Sequence, residues 1–256
     1  MDLTVLGKSP SWQDRDGACS SYLVREDEFV LVLDCGSGAF GKLRAVLDYR
    51  DVDAVLLSHT HPDHVLDLIP FACALSYSPR RQTEGPPPQP ALLVHEEGAA
   101  VLRRLAGAFG DPELLDRAFE LREYAPDVRL PLGPLSARFR EVPHWVSAFA
   151  VELTGGGAGR IVYSADCGPN EALEQFATGA ELLLIEGTSM QDDGGNGFRG
   201  HMTPRQAGEL GRRAGVRRLV ITHFSDEVDP EFVRSEATAG FGGEVEVAHE
   251  GARYTV

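Results

Sequence analysis

The sequence predicts an α/β (α+β) fold in which two sheets lie face to face with helices outside, and three observations carry that prediction. Short apolar runs of strand length alternate with amphipathic segments of helical period. Strands are followed by helices twice along the chain, the pattern expected of paired layers. The two halves also echo each other. "LVLDCG" (31–36) and "VYSADCG" (162–168) run from an apolar strand into Asp-Cys-Gly, while "AVLLSH" (54–59) and "RLVITH" (218–223) run into histidine. No shift of composition marks a boundary, so a single domain over residues 1–256 is expected.

The elements follow in order. "LTVL" (3–6), "SYLV" (21–24) and "FVLVLD" (29–34) are apolar runs bounded by turn residues and read as strands. "FGKLRAVLDY" (40–49) is amphipathic at helical spacing, and "AVLLS" (54–58) is a buried strand. Pro62 suits a first helical position and starts a helix over "DHVLDLIPFACAL", which Pro70 kinks or ends. "TEGPPPQP" (83–90) is a loop, "ALLV" (91–94) a strand, and helices are expected over 96–108 and 111–121. After the irregular "YAPDVRLPLGP" come strands at 135–142, 147–153 and 160–166, the last two joined by a "TGGGAG" hairpin turn. The remainder alternates: helix 170–177, strand "ELLLIEG", helix 203–214, strand "RRLVITH", helix 229–239, and "EVEVAHEGARYTV" as an edge hairpin.

Composition narrows the function. A 43% hydrophobic and 25% charged chain is an ordinary globule, with no run long enough to cross a membrane and no basic-then-apolar leader in "MDLTVLGKSP". Cys19, Cys35, Cys73 and Cys167 lack disulfide or zinc-finger spacing, which fits a reducing, cytoplasmic setting. The formal charge of −15 argues against extended nucleic acid, whose binding draws on phosphate neutralisation. The basic cluster Arg212, Arg213, Arg217 and Arg218 reads as a solvated face.

The histidines carry the chemistry. "SHTHPDH" (58–64) follows a buried strand and crowds His59, His61, Asp63 and His64 into six residues. In extended chain, residues two apart face the same way, so His59 and His61 address one point while Asp63 and His64 address a second. That is more donors than one tetrahedral ion uses, so two ions are expected. His144, Asp166 and His223 each stand where a strand gives way to a loop, the usual place for site residues. His95 and His249 read as ordinary structural or surface histidines, and Cys167 as packing. Ser37 and Ser58 have no base arrangement that would make them nucleophiles.

"SHTHPDH" matches the H-x-H-x-D-H signature of the metallo-β-lactamase superfamily, and the chain order of motif, His144, Asp166 and His223 resembles that family along nearly the whole length. "VLDCG", with Asp34, is similar to its structural strand ending. The resemblance implies a four-layer αββα sandwich with a dinuclear metal centre at one edge of the sheets. It implies that His59, His61 and His144 hold one ion, that Asp63, His64 and His223 hold the other, and that Asp166 bridges. Two divalent ions are therefore expected, zinc first because histidine and carboxylate suit it, with manganese as the alternative.

The last third resembles one branch. "GHMTPRQAGELGRRAGVRRLVITHFS" (200–225) is similar to the C-terminal block of ribonuclease Z, the tRNA 3′-end endonuclease, and its phosphodiesterase relatives. There a histidine in a G-H-x-T context is supported by the glutamate of an H-E-A-T sequence. "IEGT" (185–188) departs from that sequence at Ile185 and Gly187 but keeps Glu186 and Thr188, so His201 and Glu186 are the implied pair. With Asp63 they make up the expected catalytic group. A phosphodiester needs a proton for its leaving alkoxide, and a histidine oriented by a carboxylate can supply it. His201 follows "DDGGNGFRG", read as a flexible loop.

Ribonuclease Z carries a long tRNA-gripping arm between its equivalents of His144 and Asp166, whereas only 21 residues separate those positions here. Without the arm, the chain looks similar to the bacterial atypical cyclic-nucleotide phosphodiesterases, and "TVLGKSPSWQDRDGACSSYLV" agrees with that subgroup. The expected activity is metal-dependent hydrolysis of a small phosphodiester such as a 3′,5′-cyclic nucleotide. The alternatives are RNA 3′-end cleavage and acyl hydrolysis of the lactonase or thioesterase type. No membrane partner is expected, and a homodimer is compatible with the sequence. The substrate-binding residues are not identified; "YSPRRQTEGPPPQP" (77–90), with Arg80 or Arg81, is a candidate wall.

Overall fold

The computed structural model describes residues 1–87, 89–157, 159–191 and 200–256. Pro88, Ala158 and the glycine-rich run 192–199 lie outside the described residues.

Two seven-stranded sheets form the centre. In the first, β1 (Asp2–Gly7), β2 (Ser21–Glu26), β3 (Phe29–Leu33), β4 (Ala54–Leu56), β5 (Ala91–His95) and β6 (Glu120–Tyr124) follow in spatial order, with β14 (Arg253–Thr255) outside β1. In the second, β7 (Leu130–Leu132), β8 (Leu135–Val142), β9 (Ala148–Thr154), β10 (Arg160–Tyr163), β11 (Leu182–Glu186), β12 (Arg218–Thr222) and β13 (Glu246–Val247) do the same. Helices α1 (Ala39–Val46), α2 (Pro62–Val65), α3 (Leu68–Tyr77), α4 (Pro79–Glu84), α5 (Gly98–Ala108) and α6 (Leu114–Ala118) belong to the first half. Helices α7 (Glu171–Ala177), α8 (Pro204–Ala214) and α9 (Pro230–Phe241) belong to the second.

The strands are continuous apolar runs because alternate residues serve different cores. Leu31 and Leu33 of β3 enter the layer between the sheets, together with Leu182 and Leu184 of β11. Val30 and Val32 face the helical layer of α1, α3, α5 and α6, while Leu183 and Ile185 face α7, α8 and α9. Three apolar layers thus separate four structural ones, the αββα sandwich that the two helix–sheet halves predict.

Direction matters more than layering for the site. β3, β4, β5 and β6 are parallel, as are β10, β11, β12 and β13, and β8 runs the same way as β10 because each is antiparallel to β9. The loops after β3, β4, β8, β10, β11 and β12 therefore open at C-terminal strand ends, where open α/β sheets bind ligands.

Five local expectations are corrected. Residues 120–124, partly assigned to a helix, form β6 against β5: Phe119 is already extended, and "ELREY" pairs along an edge. "LPL" within the irregular stretch forms β7, an outer strand where Pro131 forfeits no ladder bond that matters. Residues 79–84 form α4, so the loop expected over 83–90 begins only after Glu84; Ser78 caps the turn by accepting from Arg81 N, and Pro79 occupies the first position. The C-terminal segment is no hairpin: β13 joins β12 and β14 joins β1, so the chain crosses between sheets. The bonds from Gly251 N to Val5 O (2.9 Å) and from Val5 N to Ala252 O (3.0 Å) draw it across. Near Pro70 the helix breaks earlier than expected, between α2 and α3. Pro70 then sits in the first turn of α3, where its missing N–H is harmless.

Candidate metal centre

The centre grows from strand ends that turn sharply. Asp34 after β3, Ala165 after β10 and His223 after β12 have φ of 58°, 55° and 55°, a left-handed backbone that non-glycine residues adopt at a cost. Each kink turns the chain out of its sheet at the shared edge. Gly36 allows the β3 loop to touch the histidine motif: a Cβ there would stand 1.9 Å from Asp63 O. Cys35 N donates to His64 O at 2.8 Å across the same contact.

The structure brings the seven expected ligands together in two groups that share one residue. His59, His61, His144 and Asp166 form the first, and Asp63, His64, Asp166 and His223 the second. Within each group the donor atoms lie within 4.8 Å of one another. Asp166 Oδ2 stands 3.3 Å from both His64 Nε2 and His223 Nε2, 3.7 Å from His59 Nε2 and 3.9 Å from His144 Nε2. His223 Nε2 is also 3.2 Å from Asp63 Oδ2, and His144 Nε2 is 2.9 Å from His61 Nδ1.

Four of the five imidazoles, those of His59, His64, His144 and His223, are aimed by their far side. His64 Nδ1 donates to Asp34 Oδ2 at 2.7 Å, leaving Nε2 for the centre. Ser58 Oγ accepts from His59 Nδ1 (3.0 Å) while donating to Asp34 Oδ2 (2.8 Å), so one buried carboxylate steers two histidines. His144 Nδ1 donates to Gly200 O at 2.8 Å. Thr188 Oγ1 accepts from His223 Nδ1 (2.8 Å) and donates to Glu186 Oε2 (2.7 Å). Glu186 Oε1 in turn accepts from His201 Nδ1 (2.8 Å) and from Cys167 N (2.7 Å), next to Asp166. Glu186 therefore ties together His201, His223 and the Asp166 loop.

Electrostatics favour a cation. Burial lowers the pKa of His59, His61 and His144, which keeps these imidazoles neutral and their lone pairs free. Burial disfavours charge on Asp63 and Asp166, yet the surrounding histidines, His64 and His223 foremost, outweigh it and hold both carboxyls well below the usual range. His64 is pushed up in spite of its burial by Asp166, Asp34 and Asp63. His201 is likewise lowered by burial but raised on balance by its bond to Glu186. Two buried atoms that face the centre, His59 Nε2 and Asp166 Oδ1, have no hydrogen-bond partner. An ionised carboxylate and a neutral imidazole left so would be costly, and a divalent ion satisfies both. The donor set fits the expected metals.

Other expectations were weaker. Arg80 spends its guanidinium on Asp48 (2.7 Å) and Glu84 (3.2 Å), whereas Arg81 gives one bond of 3.4 Å to Leu75 O. Arg213, Arg217 and Arg218 pair with Glu174, Glu181 and Glu246, in line with a solvated face. Cys167 Sγ is buried on Ser164 O, and His95 and His249 join none of the histidine–carboxylate groups found among the described residues. Sequence reasoning missed the work of Asp34 and Ser58 in aiming histidines. Trp145 packs beside His144, with the ring centroids 5.0 Å apart.

A fold of two sheets with a buried histidine–aspartate cluster at one edge defines a metallo-hydrolase, and the chain belongs to the β-lactamase superfamily: the model for its domain matches residues 30–224. The chain is 29% identical over 254 residues to the probable metallo-hydrolase YhfI of Bacillus subtilis, covering 98% of both. The crystal structure of YhfI superposes with a TM-score of 0.88 over 99% of this chain and 98% of that one. Ribonuclease Z of Myxococcus xanthus is 29% identical over 293 aligned positions, which cover 97% of this chain and 95% of that protein. Unliganded yeast PDE1 shares the fold, with a TM-score of 0.77, 14% identity and 98% coverage of each chain.

Proposed function

We propose that the protein is a dinuclear metal phosphodiesterase acting on a small phosphodiester such as a 3′,5′-cyclic nucleotide. The observation that carries this reading is the Glu186–His201 pair: a histidine fixed at Nδ1 by a buried carboxylate, in one group with His223. An acyl ester has less need of such a donor; the alkoxide leaving a phosphodiester needs one. Bound divalent ions supply Lewis acidity that neutralises the phosphoryl oxygens and acidifies water. His59, His61 and His144 would hold one ion, and Asp63, His64 and His223 the other, with Asp166 between them. His201 keeps its Nδ1 proton on Glu186 and delivers its Nε2 proton to the leaving oxygen. Thr188 couples the orientation of His223 to the same carboxylate, so one residue sets both ligand and acid. Zinc is the expected metal, and a cytoplasmic setting fits the free cysteines.

A second reading, RNA 3′-end cleavage, is favoured by the likeness to ribonuclease Z. Against it, that alignment runs over 293 positions for a 256-residue chain, so the relative carries insertions. Between His144 and Asp166, β9 and β10 take up most of the connection, and the charge of −15 opposes a long polyanion.

The test is hydrolysis of 3′,5′-cyclic AMP by zinc- or manganese-loaded protein beside His201→Ala. Turnover is expected to fall about 10²- to 10⁴-fold in the variant. Cleavage of a precursor tRNA, or an ester hydrolysis indifferent to His201, would displace the phosphodiesterase reading.

A further inference from the structure

We propose that Lys8 is a positioning residue for the metal centre: its ammonium clamps the backbone beside His223 and so fixes that ligand for the ion it shares with Asp63 and His64. The proposal rests on the dinuclear reading above and on nothing about the substrate.

His223 is a ligand whose backbone needs holding. Its φ of 55° is left-handed, which a non-glycine residue adopts at a cost and keeps only when its surroundings impose it. The neighbours on both sides are held from the other half of the sandwich. Tyr22 OH of β2 bonds Thr222 Oγ1 at 2.8 Å in the buried interior. Lys8, the residue after β1, donates from Nζ to Phe224 O at 2.8 Å, and the same ammonium stands 4.1 Å from the centre of the Phe224 ring. Thr222 and Phe224 follow the second sheet, whereas Tyr22 and Lys8 belong to the first half, which also supplies Asp63 and His64. The clamp therefore sets the spacing of ligands that reach one ion from opposite sheets.

Lys8 is anchored in its turn. Its ammonium pairs with Asp14, and the two side chains are 12% and 9% exposed. Asp14 Oδ1 accepts from Asp226 N (2.9 Å), and Asp226 Oδ2 accepts from Arg15 N (3.0 Å). These reciprocal bonds lock the β1–β2 connection to the segment after His223. A largely buried ion pair is a poor source of stability, because desolvation cancels most of the attraction and apolar residues of similar volume often do as well. Apolar residues cannot, however, donate to a carbonyl at a fixed point. Geometry is the reason left for a charge in this place.

The test reads metal affinity rather than turnover. Zinc is titrated into the metal-free protein in competition with a chromogenic chelator, which gives a dissociation constant for each ion. Lys8→Met/Asp14→Asn removes both charges together, and the amide keeps an oxygen for Asp226 N; Asp14→Asn alone keeps the Lys8 donor. In the double variant one constant should weaken about 10- to 100-fold while the other holds, the loss typical of removing an outer partner of a ligand. Asp14→Asn should stay near wild type. In a His223→Ala background the same double exchange should change zinc affinity no further, because the ligand it positions is gone. If the double variant does not fold, Lys8→Arg keeps the ion pair but shifts the donor, and one constant alone should again weaken. Two unchanged constants in whichever variant is read, or an equal loss in Asp14→Asn, overturn the clamp and leave the two-ion centre standing. A loss that persists in the His223→Ala background overturns it too, since it marks general damage. Wild-type protein that binds a single ion removes the dinuclear reading, and the clamp with it.

Discussion

At the end of β3 the chain reads Asp34-Cys35-Gly36, and just beyond β10 it reads Asp166-Cys167-Gly168. Both aspartates are buried at the same edge of the sandwich, yet their surroundings differ completely. Asp34 is saturated: Ser58 N (2.7 Å) reaches Oδ1, while Ser58 Oγ (2.8 Å), His64 Nδ1 (2.7 Å) and Tyr163 OH (3.1 Å) reach Oδ2. Asp166 has one oxygen with no partner and the other among four imidazoles. The position of the left-handed kink also differs between the two. It falls on Asp34 itself in the first case and on Ala165, one residue earlier, in the second. A buried carboxylate with its donors complete is a scaffold; one without them calls for a cation.

The sharpest way to break this contrast is to neutralise Asp166. Asp166→Asn keeps the shape and removes the charge that would lie between the two ions. Metal content should drop below two per chain, and turnover should fall about 10³-fold or more, the several kcal/mol of charge stabilisation that metal ions contribute. Metal analysis of the purified variant, read beside its melting curve, checks this. An Asp166→Asn protein that retains two ions would mean that the orphaned oxygen marks nothing.

Asp34→Asn should be milder and different in kind. An amide cannot accept from all of Ser58, His64 and Tyr163, so His64 and His59 lose their aim while every ligand remains. Changing an outer partner of this sort costs about 10- to 100-fold in metal affinity or activity. The buried mismatch should also lower stability by about 1–3 kcal/mol, read from denaturant unfolding. If Asp34→Asn and Asp166→Asn proved equally damaging to metal content at equal stability, the distinction between scaffold and ligand would fail.

The same contrast explains what could be read from the chain. Four donors in "SHTHPDH" are legible because their geometry is local: a strand end and one helical turn fix their spacing. His144, Asp166 and His223 were found only as strand-end residues in a familiar order, since their convergence depends on which strands are parallel. The hubs were harder. Nothing near Asp34 in sequence announces that Ser58 and His64 will close on it, or that Glu186 will reach His223 through Thr188. The fold shows the same division. Core strands with apolar residues on both faces were found, whereas β6, β7 and the parting of β13 from β14 depend on pairings that a half-polar edge segment does not encode.

The smallest effect comes from a third buried carboxylate, which serves as a control. Glu152 of β9 lies away from the metal centre and is saturated by charge: Arg138 holds it through bonds of 3.1 Å and 2.9 Å, and Arg160 through one of 2.7 Å. Burial raises its carboxyl, but the two guanidinium groups outweigh burial and hold it below the usual glutamate range. A folded-state pKa below the unfolded one stabilises the fold above the unfolded value, near pH 4.3, and that contribution is lost as pH falls through the folded value. Melting temperature should therefore decline below about pH 4.3 more steeply in the wild type than in Glu152→Gln. At neutral pH the variant should lose about 1–2 kcal/mol of stability. Metal content and kcat should stay at wild-type values. A loss of metal in Glu152→Gln would show that the second sheet transmits strain to the centre, and that saturation does not by itself insulate a buried carboxylate from function.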